Sequence, residues 1–308
     1  MVIRGQGTRA RLAFAGAARA FLFLIALGAL IFASGACAAT GKLPPDRPGK
    51  IPIEYLPPKE AKFEDLYKLL KERQVLEDVR MVLSAFKLPR DITLRLKGCD
   101  GRRNAWYDDE DYSITVCYEY LQDVVDHAPK DVSPEGVTRR DAIIGPTAEV
   151  FLHEGAHMLF HQYHMPLLGP EEDSADAVAA YTMMQFGPRF ARSAISGVAY
   201  MYARKAKDQA KTFEKEDLAE EHPLTGARFY TLLCFAYGGQ PKNFQFVVDR
   251  GYLPEWRAKN CDGDYERIQY AVQTLFRPHM DPAKAKQVRA YFEKKAAAQE
   301  VQPAAPKK

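Results

Sequence analysis

Four histidines and five carboxylates fall within residues 151–176, FLHEGAHMLFHQYHMPLLGPEEDSAD. His153 and His157 are four apart, which on a helix puts both imidazoles on one face, one turn from each other. From there both reach a single ion at about 2.0–2.1 Å, the usual zinc–nitrogen distance. Glu154 completes an H-E-x-x-H pattern, placed to take a proton from an activated water and not to bind the ion itself. The chemistry expected is hydrolysis assisted by one Zn2+, which needs a third protein ligand and one open position.

Geometry sorts the candidates for that third ligand. His161 lies eight residues, about 12 Å of helical rise, from His153 and cannot share its ion. His164 follows the expected helix end and stands as an alternative if the chain folds back. A metzincin pattern demands glycine at 160 and histidine or aspartate at 163; Phe160 and Tyr163 exclude it. Among the acids, Glu171, Glu172 and Asp173 open a second helix, where the helix dipole alone favours carboxylates. Glu172 and Asp176 are four apart, so one can bind the ion while the other accepts the second N–H of a histidine ligand. Ala175 and Ala179 let this helix approach the first closely. Glu172 is therefore preferred over Glu171, which points about 100° away. Further along, EHPLTGAR offers His222 and Arg228 as donors to a developing oxyanion, with Arg228, like Asp176, expected behind the metal ligands. Tyr107 and Tyr112 are further donors. The bland reading of His222 is that Pro223 starts a helix and His222 merely precedes it.

The elements that must position these groups follow from hydrophobic period. A helix is expected from Pro146, at the tolerated first position, to about His161, with Phe151, Leu152, Ala156, Leu159 and Phe160 forming an apolar band. Helices are also expected over Phe63–Phe86, from Glu171 to about Phe186, Ser193 to about Lys211 and Leu224 to about Tyr237, with more to about Lys295. DITLRLKGC alternates as a strand, and NAWYDDEDYSITVCYE reads as a hairpin with an acidic turn. The fold class is α+β, mostly helical, with one small sheet beside the H-E-x-x-H helix. The hairpin could offer its edge to an extended substrate, or be an ordinary disulfide-closed hairpin.

At 47% hydrophobic and 27% charged, the composition is globular. Residues 1–39 carry four arginines, an apolar run and an A-x-A site at Ala36, Cys37 and Ala38, the pattern of a cleaved export signal. An uncleaved anchor or a lipidated Cys37 is the alternative route to a membrane. The leader holds no acid, so the remainder has 39 basic and 40 acidic residues, and its near-neutrality gives no reason to invoke nucleic acid. Residues 40–60 read as a proline-rich linker, 61–295 as a single catalytic domain and 296–308 as a disordered tail. Export, to a periplasm or outside the cell, suits disulfides. Cys99 and Cys117 flank the expected hairpin and Cys234 and Cys261 a helix-loop-helix, so each pair is joined locally, and no C-x2-C spacing supports a four-cysteine zinc site instead.

Beyond the pentad, LKGCDGRRNAWYD, ITVCYE, HEGAH, GPEEDSAD and HPLTGARFYTLLCFAYG, spread from Leu96 to Gly238, resemble a bacterial exported family described as putative metallopeptidases. H-E-x-x-H followed by E-x-x-A-D is similar to the gluzincin arrangement. The H-P…R element is also similar to one in integral-membrane zinc peptidases. The resemblance implies a zincin-like fold, His153, His157 and Glu172 as ligands, Glu154 as catalytic base and a peptide or protein substrate. It also implies the Cys99–Cys117 pair. Two rival readings remain: a non-catalytic exported binding protein whose structural zinc has His164 as fourth ligand, and a zinc hydrolase of a non-peptide amide.

Overall fold

The computed structural model describes residues 49–300. The residues expected to form an export signal, Cys37, the first part of the expected linker and the last part of the expected tail lie outside the described residues. Four strands form one sheet: β1 (Ile53–Tyr55), β2 (Thr93–Lys97), β3 (Ala105–Asp108) and β4 (Ser113–Cys117). Their spatial order is β1-β2-β4-β3, with β1 and β4 parallel to β2 and β3 antiparallel to β4. The alternation in β2 buries Leu94 and Leu96, while β4, paired on both sides, is buried at all five positions. Strand β3 is an outer strand.

The helices are α1 (Glu64–Glu72), α2 (Val75–Leu83), α3 (Tyr118–His127), α4 (Arg139–Tyr163), α5 (Glu171–Met184), α6 (Pro188–Thr212), α7 (Thr225–Gly239), α8 (Pro241–Asp249), α9 (Glu255–Ala258), α10 (Cys261–Phe276) and α11 (Pro282–Glu300). The chain is thus mostly helical with one small sheet. Helix α4 runs between two apolar cores. Phe151, Met158 and Leu159 pack with Leu94, Leu96, Ile114 and Val116 of the sheet, whereas Leu152 joins Met183, Ile195, Val198 and Leu233 of the helical layer. A helix clad on most sides needs no single apolar stripe. Helices α4 and α6 cross closely because two glycines face backbone: a Cβ at Gly145 would lie 2.3 Å from the Ala194 carbonyl oxygen, and one at Gly197 1.9 Å from that of Asp141.

Several boundaries differ from expectation. Helix α4 starts at Arg139, so Pro146 sits in its interior and not at its first position. Thr138 caps the start, its side-chain oxygen accepting the Asp141 N–H at 3.1 Å, and Thr147 donates to the Ile143 carbonyl at 2.7 Å one residue past the proline. The stretch Phe63–Phe86 is two helices, broken where Gln74 takes φ 56°. Tyr55 explains the break: its hydroxyl accepts the Leu76 N–H at 2.9 Å and donates to Glu77 at 2.7 Å, capping α2 from the sheet. Tyr55 belongs to β1, which lies within the proline-rich stretch 40–60, so part of that linker is sheet. Helix α11 runs to Glu300, past the expected start of the tail at 296.

Two disulfides are present, Cys99–Cys117 and Cys234–Cys261, as paired from the sequence. Among the described residues no helix is long and apolar enough to cross a membrane.

Candidate metal centre

Helix geometry brings His153 and His157 together, and the close docking of α5 on α4, across the buried Ala175 and Ala179, brings Glu172 over both. His153 Nε2 lies 3.1 Å from His157 Nε2 and 2.9 Å from Glu172 Oε2, and His157 Nε2 lies 3.5 Å from Glu172 Oε1. Two atoms bound tetrahedrally at about 2.0–2.1 Å stand about 3.3 Å apart, so these spacings fit one small divalent ion. The far ring nitrogens are held as well. His153 Nδ1 is 2.9 Å from Asp176 Oδ1, and His157 Nδ1 is 2.7 Å from Glu171 Oε1. Each carboxylate fixes its ring so that Nε2 faces the shared point, the arrangement that metal-binding histidines need.

Charge favours a cation there. Burial alone would lower the His153 pKa, but Asp176 and Glu172 outweigh it and push the ring up to about 10. His157 shifts upward for the same reason, burial being overcome by Glu172 and Glu171. Burial opposes ionisation of Glu172, yet the three imidazoles beside it hold its carboxyl far below the usual range.

Glu154 points into a cavity of about 530 Å³ that is lined by His153, His157, Glu172 and residues 104–107 of the β3 edge. It is 8% exposed, and that burial raises its carboxyl above the ordinary value, against the pull of both histidines and the Tyr107 main-chain N–H. A carboxylate so placed has a raised affinity for a proton. His222 lines the same cavity, three residues before Thr225 opens α7; it turns back to within 2.9 Å of Glu172 Oε2 and stacks on His153.

The remaining candidates fall outside the convergence. His161 Nδ1 pairs with the Tyr107 hydroxyl at 2.8 Å and the ring stacks on Tyr112. His164 ends α4 in the left-handed conformation, its ring 6.4 Å from that of His161. Arg228 grips Asp176 with two bonds of 2.7 and 2.6 Å, so it braces the carboxylate behind His153 and is not a free oxyanion donor. Glu171, read from the sequence as facing away, is instead the partner of His157. Sequence reasoning also missed Glu149 and Tyr202, which join Arg228 behind the site. Glu149 left a signal, since it precedes His153 by one helical turn; Tyr202 left none.

Two other ligand-like groups exist among the described residues. Cys99 and Cys117 beside Glu119 are tied up in their disulfide, and the space between Glu149, His153 and Asp176 is taken by the Arg228 guanidinium. Among the described residues only His153, His157 and Glu172 combine three converging donors with an open cavity.

Comparison with known families matches residues 55–276 to the one described as "Putative metallopeptidase". No curated protein and no solved structure matches the chain.

Proposed function

The chain belongs to the family of putative metallopeptidases, and from that premise we propose that it is an exported zinc-dependent peptidase with a zincin-like catalytic domain. The carrying observation is the convergence of His153 Nε2, His157 Nε2 and Glu172 at 2.9–3.5 Å beside the buried Glu154. Two imidazoles and a carboxylate suit zinc in a catalytic setting, with one position left to water or substrate. When bound, zinc supplies Lewis acidity and lowers the pKa of a water to about 7.

Within that frame each residue has a task. Glu154 accepts the proton of the attacking water on its carboxylate and returns it to the leaving amine, helped by the burial that raises its proton affinity. Asp176 and Glu171 hold the two rings. His222, half-exposed at the cavity wall, is placed to donate to the developing oxyanion once it leaves Glu172. The outer strand β3 borders the cavity and would take an extended peptide by main-chain pairing. Two disulfides, together with the leader pattern, support export. A closed structural zinc with His164 as fourth ligand is disfavoured, because His164 packs against His161.

Metal analysis and peptide turnover test this reading together. The purified protein is expected to carry one zinc, Glu172→Ala to lose it, and Glu154→Gln to keep it while turnover on a peptide library stops. Full activity in Glu154→Gln, or retained zinc in Glu172→Ala, would reject the assignment.

A further inference from the structure

We propose that Glu149, Tyr202 and Arg228 form a buried positioning chain that fixes Asp176, and through it the His153 ring, in the orientation that metal binding requires. The inference rests on the reading of His153 as a ligand and adds residues that touch neither the metal point nor the cavity.

Four helices each give one member. Glu149 lies on α4, Asp176 on α5, Tyr202 on α6 and Arg228 on α7. The Tyr202 hydroxyl donates to Glu149 Oε1 at 2.8 Å. The Arg228 guanidinium lies 4.7 Å from the centre of the Tyr202 ring, reaches Glu149 Oε1 at 3.4 Å and forks onto both oxygens of Asp176 at 2.7 and 2.6 Å. Asp176 Oδ1 then meets His153 Nδ1 at 2.9 Å. Glu149 is 5% exposed and Tyr202 4%, and the Arg228 and Asp176 side chains keep 16% and 17%, so the chain is largely shielded from solvent.

Such a chain is an expensive way to hold helices together. Burying ions costs several kcal/mol each, and well-packed apolar side chains of similar volume commonly give equal or greater stability. What apolar packing cannot do is fix a carboxylate in both angle and distance. The fork from Arg228 does that, because a planar guanidinium bonds both oxygens at once, which a lysine cannot. Glu149 and the Tyr202 ring in turn fix the guanidinium. The output of the chain is one defined carboxylate plane behind one imidazole, and groups of this kind typically alter metal affinity 10–100-fold when removed.

Tyr202→Phe tests this with the loss of one oxygen, the ring under Arg228 being kept; Glu149→Gln and Arg228→Lys accompany it. Zinc affinity is measured by competition with a chromophoric chelator, the cobalt(II)-substituted site by its visible absorption, and the metal-free proteins by thermal unfolding. We expect about a tenfold loss of zinc affinity in Tyr202→Phe and more in Arg228→Lys, with altered cobalt bands in both. In an Asp176→Asn background Tyr202→Phe is expected to add nothing further, since the chain acts through Asp176. Wild-type affinity and cobalt spectrum in Tyr202→Phe and Glu149→Gln would overturn the inference, whatever happens to melting, and leave the metal site standing. Wild-type protein that binds neither zinc nor cobalt would sink the metal reading itself.

Discussion

Gly197→Ala gives a prediction whose sign separates two physical accounts. On helix propensity alone, alanine in a helix interior is better than glycine by about 1 kcal/mol, so the variant should be more stable. The crossing of α4 and α6 says the opposite. The new Cβ would sit 1.9 Å from the Asp141 carbonyl oxygen and 2.7 Å from its carbon, where ordinary contact begins at 3.4 Å. Both clashing atoms are backbone, so no rotamer relieves them. The helices must part by roughly 1.5 Å, enough to forfeit much of the dispersion between facing side chains. Overpacking of this kind costs about 1–3 kcal/mol, occasionally more, and rigid backbone on both sides puts Gly197 at the upper end. Net of propensity, about 2 kcal/mol of destabilisation is expected, or about 4–8 °C in Tm for a domain of this size. Gly226→Ala on α7 is the control, since its Cβ would meet only Ala206 Cβ at 3.9 Å, and its Tm is expected to stay or rise slightly. Thermal unfolding followed by circular dichroism measures both. A Gly197→Ala protein melting at or above wild type would refute the close-crossing argument and the packing account of α4 built on it.

Glu119 is 5% exposed and accepts the N–H groups of Cys99 at 2.9 Å and Gly101 at 3.0 Å. Burial pushes its carboxyl up, but these bonds win and set it below the ordinary 4.5. A depressed folded pKa means its stabilisation is complete above the unfolded value and fades as pH falls through the folded one. Glu119→Gln should therefore cost about 1–3 kcal/mol at pH 7 and weaken the pH dependence of urea denaturation below about pH 4.5, and an unchanged acid limb would refute it. The two disulfides close separations of 18 and 27 residues, which on chain entropy correspond to about 3 and 3.5 kcal/mol. Cys99→Ser/Cys117→Ser and Cys234→Ser/Cys261→Ser proteins should melt well below wild type, and unchanged melting of either pair would contradict the local pairing. Glu171→Ala removes the partner of His157 Nδ1 but no metal donor, so zinc should bind about 10–100-fold more weakly without being lost, as read by chelator competition.

What was legible in the sequence followed from periods that a helix enforces. The spacing of His153 and His157, and of Glu172 and Asp176, fixes one face each, and the structure turns those faces toward each other. The alternation of β2 and the disulfide partners were legible for the same local reason. Contacts that depend on how helices approach were not. Glu171 was placed on the wrong side because the angle around α5 says nothing of how far its side chain can reach back to His157. Tyr202 meets Glu149 across two helices and 53 residues, a distance no local pattern spans. Pro146 misled in another way. Proline normally marks a helix start, but here the start is set by the Thr138 cap, and packing between two cores holds α4 together across the missing N–H.

That misreading bears on the site. Had α4 begun at Pro146, Glu149 would have fallen in its first turn, near the helix end and its solvent. Starting at Arg139 puts two turns ahead of Pro146 and sinks Glu149 and His153 into the middle of a 25-residue helix. Polar groups are kept there only where partners satisfy them. Glu149 is satisfied by Tyr202 and Arg228, and His153 by Asp176 on one side and Glu172 on the other. The length of α4 is therefore part of the chemistry. It buries the first histidine between the braced Asp176 and Glu172, where the proposed metal would sit, while His157, one turn nearer the helix end, meets the open cavity with the more exposed Glu171 behind it.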